Sequence, residues 1–255
     1  MNTVLLIVLL GYVLISAAWT FYEILKLTGK SIGENERVKF YRSAVLEGLV
    51  FVVFVLLMVI FTDITMPELG ITSISISLKH FNIWLTAVTF VINGAFLILF
   101  LYQMICYLVS ETYRKQVKEQ LEKQKAQGSR YVKILSDIML PRTGREKRWF
   151  AAVSASVGIG EEIIYRGLLF YLLVNVFPEL PVCLLPIIGG IPFGAAHSYQ
   201  GFSGAFREGL MGILFGALYI ASGSLLPGIL LHFTADFAAN FIFAPENEED
   251  KQGPL

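Results

Sequence analysis

The sequence predicts an all-α, polytopic membrane helix bundle of about seven transmembrane helices. Three observations predict it. Of 255 residues, 55% are hydrophobic and only 16% charged, against about 25% charged in an ordinary soluble domain. The apolar residues are gathered into long runs, and a bilayer core of about 30 Å needs roughly 20 of them per helix. The charges that remain are concentrated between those runs. Lys and Arg number 20 and so do Asp and Glu, so the total charge gives no argument for a nucleic-acid partner.

Seven segments qualify as spans: 3–22, 44–62, 82–109, 149–176, 180–198, 208–223 and 227–243. The first has no Lys or Arg before it, so it lacks the basic region of a signal peptide and reads as a retained helix. The third is the emptiest, with no Asp, Glu, Lys or Arg from Phe81 to Ser110. The sixth is short. Lys26, Lys30, Arg37, Lys39 and Arg42 lie between the first two spans, whereas the loop 63–81 carries only Lys79. The loop 110–148 holds 11 Lys or Arg against 5 Asp or Glu. Basic loops stay on the cytoplasmic side, and three spans place both there, with the N-terminus outside and the C-terminus inside. Compactness and short outer loops suit a bacterial plasma membrane. Cys106 and Cys183 sit in separate apolar runs, on opposite sides of the bilayer, and form no disulfide framework.

Four regions follow: a three-helix membrane region 1–110, a basic connector 111–148, a four-helix membrane core 149–245 and an acidic tail 246–255. In the connector, Val117 and Leu121 are one turn apart, and Ile134, Leu135, Ile138 and Met139 form an apolar stripe ending at Pro141. An amphipathic helix lying in the plane of an anionic leaflet has this pattern. A solvated charged connector fits 111–127 equally well.

Glu161, Glu162 and Arg166 fall inside the fourth span, His197 ends the fifth, and His232 and Asp236 lie in the seventh. A charge at the bilayer centre costs about 2.5–3.5 kcal/mol, so these side chains must face the bundle interior and one another. Glu47 lies near the basic end of its span and can reach the interface. Glu162 and Arg166 are i,i+4 and can pair. Glu161 lies about 100° around the helix and remains available. Phe193 and His197 are i,i+4, as are His232 and Asp236, a spacing that suits a carboxylate orienting an imidazole. Asn240 is one turn further on. Thirteen of the 22 glycines lie between Gly158 and Gly228, including Gly212-x-x-x-Gly216, and small residues let membrane helices touch. Gly158, Gly160, Gly189, Gly190 and Gly194 flank the polar residues and leave room for water or an extended peptide.

Glu161-Glu162-Ile-Ile-Tyr-Arg166 resembles the EExxxR motif of the CAAX protease and bacteriocin-processing (Abi) family of intramembrane glutamic endopeptidases. Phe193-Gly-Ala-Ala-His197 resembles its FxxxH motif, and His232-Phe-Thr-Ala-Asp236 its HxxxN/D motif, in the same order over 149–243. The resemblance implies an intramembrane endopeptidase without a cofactor, acting on a membrane-associated peptide that is lipidated or carries a leader. It implies that Glu161 and His197 activate the attacking water, with His232 and residue 236 stabilising the oxyanion. Fixed donors at such a position are worth about 2.7–4 kcal/mol.

Asp236 stands where CAAX-processing members have Asn. It can donate if protonated, or orient His232 and leave Asn240 to donate. With Glu161, His197 and His232 it also forms a zinc-like set. No HExxH occurs, and the metal-free reading is preferred. A non-catalytic membrane scaffold that regulates partner proteins is the alternative function. A proton-coupled transporter would also bury Glu and His, but the inverted repeats of such transporters are not visible.

Overall fold

A computed structural model of the protein describes residues 1–27, 30–76, 78–127 and 130–242, with side chains for all of these except 124, 125, 130, 132 and 239–242. The tail 246–255 lies outside the described residues. Among the described residues no strand occurs, and most of them are helical. The helices are α1 (Asn2–Lys26), α2 (Glu34–Phe61), α3 (Ile83–Val109), α4 (Glu111–Gln127), α5 (Arg130–Met139), α6 (Gly144–Glu162), α7 (Leu169–Val176), α8 (Leu185–Ala196), α9 (Gly201–Ser222) and α10 (Leu226–Ile242). A wide π turn, Ile163–Leu168, joins α6 to α7.

All seven expected segments are helical, but they are not equal. Asn2–Lys26, Glu34–Phe61, Ile83–Val109 and Ser198–Ser222 are each long and apolar enough to cross a membrane. Val182–Ala196 and Leu226–Ala238 are shorter apolar helices, and the α6–α7 run carries its three charges inside the bundle. The sixth segment is longer than expected, because α9 begins at Gly201 and ends only where Gly223 turns left-handed at φ +64°. The chain is an integral membrane protein.

Local chemistry explains where helices begin. Asn82 caps α3 by accepting from Leu85 N at 2.9 Å. Thr143 accepts from Glu146 N at 3.2 Å, and the Glu146 carboxylate returns to Thr143 N at 3.0 Å, a reciprocal cap that satisfies two otherwise free amides. Glu146 also meets Arg37 at 2.7 Å in a fully buried pair. Arg145–Glu34 at 3.3 Å and Arg42 over the Trp149 ring at 5.6 Å join the same two connectors, so both basic regions lie at one end of the bundle. At the other end, residues of the 62–82 loop clip the α9–α10 turn. Ser75 N donates to Ser222 O at 2.8 Å, Leu225 N to Gly70 O at 2.9 Å and Ser224 Oγ to Thr72 O at 2.6 Å.

Two expectations are corrected by packing. The apolar stripe of the connector does not lie free for a leaflet: Ile134 and Ile138 are buried at 9% and 1% exposure, and Tyr41 Oη donates to Met139 O at 3.1 Å. Protein surface competes with lipid for that stripe and covers it. Val117 of α4 likewise packs with Ala238 of α10. Glu47, expected to reach the interface, instead accepts from Ser16 of α1, with Tyr12 Oη 3.5 Å away.

Candidate active site

α6 carries Glu161 and Glu162 to its last turn, and Arg166 follows within the π turn. Such turns insert one residue into the helical register and are frequent at functional sites. The i,i+4 pair forms: Arg166 Nη1 donates to Glu162 Oε1 at 2.9 Å, and both residues are buried. Arg166 Nη2 reaches Gly212 O at 3.4 Å, and its guanidinium lies 4.3 Å from the Phe193 ring centre and 5.4 Å from that of Phe215. A planar, weakly hydrated cation suits this aromatic wall. Gly228 is needed beside it, because a Cβ there would come within 2.9 Å of Glu162 Oε2.

Glu162 has a second partner that spacing within one helix cannot show. Its Oε1 accepts from His232 Nδ1 at 3.0 Å, whereas Asp236 Oδ2 lies 3.8 Å from His232 Nε2. The carboxylate that orients His232 is therefore Glu162, not Asp236. Its Nε2 edge is turned toward Glu161 Oε2, at 3.7 Å, and Asp236.

His197 closes α8. Its Nδ1 lies 2.8 Å from Phe193 O, and a carbonyl only accepts, so Nδ1 carries the proton. In the neutral ring Nε2 is then the acceptor, and it faces Glu161 Oε1 at 4.0 Å. Phe193 is the shared wall, with ring centres 4.7 Å from His197, 6.1 Å from His232 and 5.0 Å from Tyr165. Among the described residues, no donor reaches Glu161 Oε2. Among the described residues no three His, Cys, Asp or Glu are arranged to hold a metal ion. Asn240 falls in the last turn of α10, and its side chain lies outside the described ones.

The glycines do not leave the space expected of them. A Cβ on Gly190 would stand 2.8 Å from Gly209 O, one on Gly194 2.6 Å from Ala205 O, and one on Gly189 2.4 Å from the Phe170 ring. They are filled by α9 and by Phe170, and the close approach holds His197 at its depth. Gly48, absent from the sequence reading, does the same for α2: its Cβ would lie 2.5 Å from Ser156 O, and that of Gly160 2.7 Å from Gly48 O. As the only glycine of α2, it offered a signal. Tyr199 (5.9 Å from the His197 ring) and Phe215 (5.4 Å from that of His232) also adjoin the site. Tyr199 stands two residues after His197 and carried no other signal in the sequence, and Phe215 carried none.

Glu161, Glu162, Arg166, Phe193, His197, His232 and Asp236 are thus gathered in one place from α6, its π turn, α8 and α10. No curated protein and no solved structure matches the chain. The family described as "Type II CAAX prenyl endopeptidase Rce1-like" matches residues 146–238, the stretch that contains all three motifs, so this part of the chain is similar to that family.

Proposed function

We propose that the protein is an intramembrane endopeptidase that hydrolyses a membrane-associated, lipidated or leader-bearing peptide with a water activated by Glu161 and His197. The observation that carries this reading is the spacing around Glu161. Its two oxygens lie 4.0 Å from His197 Nε2 and 3.7 Å from His232 Nε2, too long for direct hydrogen bonds and suited to a shared water. A water placed between Glu161 Oε1 and His197 Nε2 meets two acceptors. It gives one proton toward each and turns a lone pair outward, to a peptide carbonyl. Glu161 takes the proton as attack proceeds and returns it to the leaving amine.

His232 is set up for the other half of the step. Glu162 fixes its Nδ1–H, and as an imidazolium it would donate from Nε2 to the oxygen on which charge develops. Arg166 balances Glu162, which leaves Glu161 as the carboxylate free for chemistry. Asp236, partly open and beside Nε2, would position that donor or the substrate amide.

Purified enzyme and a peptide library, lipidated and unlipidated, test this reading. Glu161→Gln should fold and lose about 10²–10⁴-fold in cleavage rate, the usual share of a general base. Asp236→Asn should keep much of the activity. Cleavage by Glu161→Gln at the wild-type rate, or stoichiometric metal that vanishes in Asp236→Asn, would overturn the metal-free assignment. A membrane scaffold would bind partners with no cleavage by either form.

We also propose that the basic end faces the cytoplasm of a bacterial plasma membrane, with the N-terminus outside. Both basic connectors meet there through Arg37–Glu146, and Lys and Arg are retained on that side. An impermeant thiol reagent should then label Cys183 from outside and Cys106 only after lysis; the reverse pattern would invert the orientation.

A further inference from the structure

At the basic end, Lys30, Ser31 and Ile32 and residues of α5 border an open cavity of about 520 Å³. Three cations line it, Lys30, Lys133 and Arg142, against one carboxylate, Asp137. Ser31 adds a hydroxyl, and Ile32 and Ile134 supply an apolar wall. None of these residues belongs to the candidate active site.

The cavity is framed by buried interactions. Arg37 pairs with Glu146 at 2.7 Å and donates to Ile32 O at 3.0 Å. The same Glu146 carboxylate accepts the backbone amide of Arg142, so both walls hang on one ion pair. Asp137 meets Arg142 Nη2 at 2.6 Å, and the lining as a whole carries three cations against this one carboxylate. Among the described residues, no acceptor meets the buried Arg142 Nε. A donor of this kind is costly unless a ligand or water satisfies it.

We propose that this cavity binds the phosphate of an anionic lipid headgroup. Lysine and arginine donors lining one cavity suit a phosphate. The cavity opens where α1 has just ended at Lys26 and α2 is about to begin at Glu34, which is the level of headgroups for helices that cross a bilayer. The isoleucine wall distinguishes a lipid from a free anion, since it offers the glycerol and the root of an acyl chain an apolar contact. Of the α5 stripe, Ile134 lines this cavity, whereas Ile138 is covered by protein.

Native mass spectrometry of the full chain in neutral detergent tests the assignment, with phosphatidylglycerol, phosphatidylcholine and inorganic phosphate as probes. One phosphatidylglycerol should be retained in preference to phosphatidylcholine. Lys30→Ala and Lys133→Ala should each weaken retention about fivefold, and the double variant ~30-fold, as expected for a basic residue near an anionic headgroup. Both lysines are exposed, and an unchanged melting temperature without lipid would show that the variants fold. The same charge removed at Lys118 and Lys123 should leave retention unaltered. Equal retention of the two lipids, or no loss in the double variant, would overturn the proposal. So would inorganic phosphate displacing the lipid at equal concentration, which would reassign the cavity to a free anion.

Discussion

In α3, Val91 and Ile98 are each 69% exposed, while the residues buried are Thr86, Thr89 and Asn93. In the α6–α10 segment the buried set includes Glu162, Arg166 and His232. Both regions turn apolar surface outward and polar atoms inward, as a lipid solvent demands, but they satisfy the inward groups differently. Asn93 Nδ2 bonds Thr89 O within its own helix at 2.9 Å and reaches Leu214 O of α9 at 3.4 Å. Glu162 joins Arg166 of its own run to His232 of α10. The first region is stitched by weak bonds that could be lost one at a time. In the second, Glu162, Arg166 and His232 compensate one another, and removing one strands the others.

The sharpest test of that difference lies in the second region. Arg166→Ala should lower stability by about 3–5 kcal/mol, the cost of leaving a partner charge buried and alone, and should reduce activity as well, because Glu162 also orients His232. Glu161→Gln should leave the melting temperature near that of the wild type while lowering the cleavage rate about 10²–10⁴-fold. Melting and cleavage measured on both variants in one detergent separate the ion pair from the base. If Glu161→Gln unfolds and Arg166→Ala stays both stable and active, the two glutamates have exchanged roles.

A smaller effect should come from the seam between the regions. Gly48→Val brings side-chain atoms against Ser156 O, and overpacking of this kind costs about 1–3 kcal/mol. Because α6 also carries Glu161, the cleavage rate should fall along with thermal stability. A variant as stable and active as the wild type would show that α2 and α6 can separate without disturbing the site.

The least effect belongs to the first region. Asn93→Leu should cost about 0.6 kcal/mol, the average for a hydrogen bond between membrane helices, and Ile98→Ala, facing lipid, should stay within about 0.5 kcal/mol. Unfolding titrations of the two side by side check this. A loss in Asn93→Leu as large as in Arg166→Ala would erase the contrast between the regions.

Hydropathy was sufficient to read the all-helical fold, because each membrane helix satisfies its own backbone and needs no distant partner. The run without charges from Phe81 to Ser110 gave α3 almost to the residue. The charged residues of the apolar segments gave the candidate site, because burial in lipid leaves few reasons for them other than one another. The Glu162–Arg166 pair was legible for the same reason, since i,i+4 spacing fixes it within one helix. What the tertiary structure decided is every relation between helices. It gave His232 to Glu162 and not to Asp236, covered the α5 stripe with protein, and closed the α8–α9 glycines on each other where open space was expected. It also brought Gly48 against α6. Spacing along a chain sets angles around one axis, whereas the distance between two axes is set by the side chains missing or present at their crossing. A single glycine, or a single turn widened from α to π, is enough to change which carboxylate meets which imidazole.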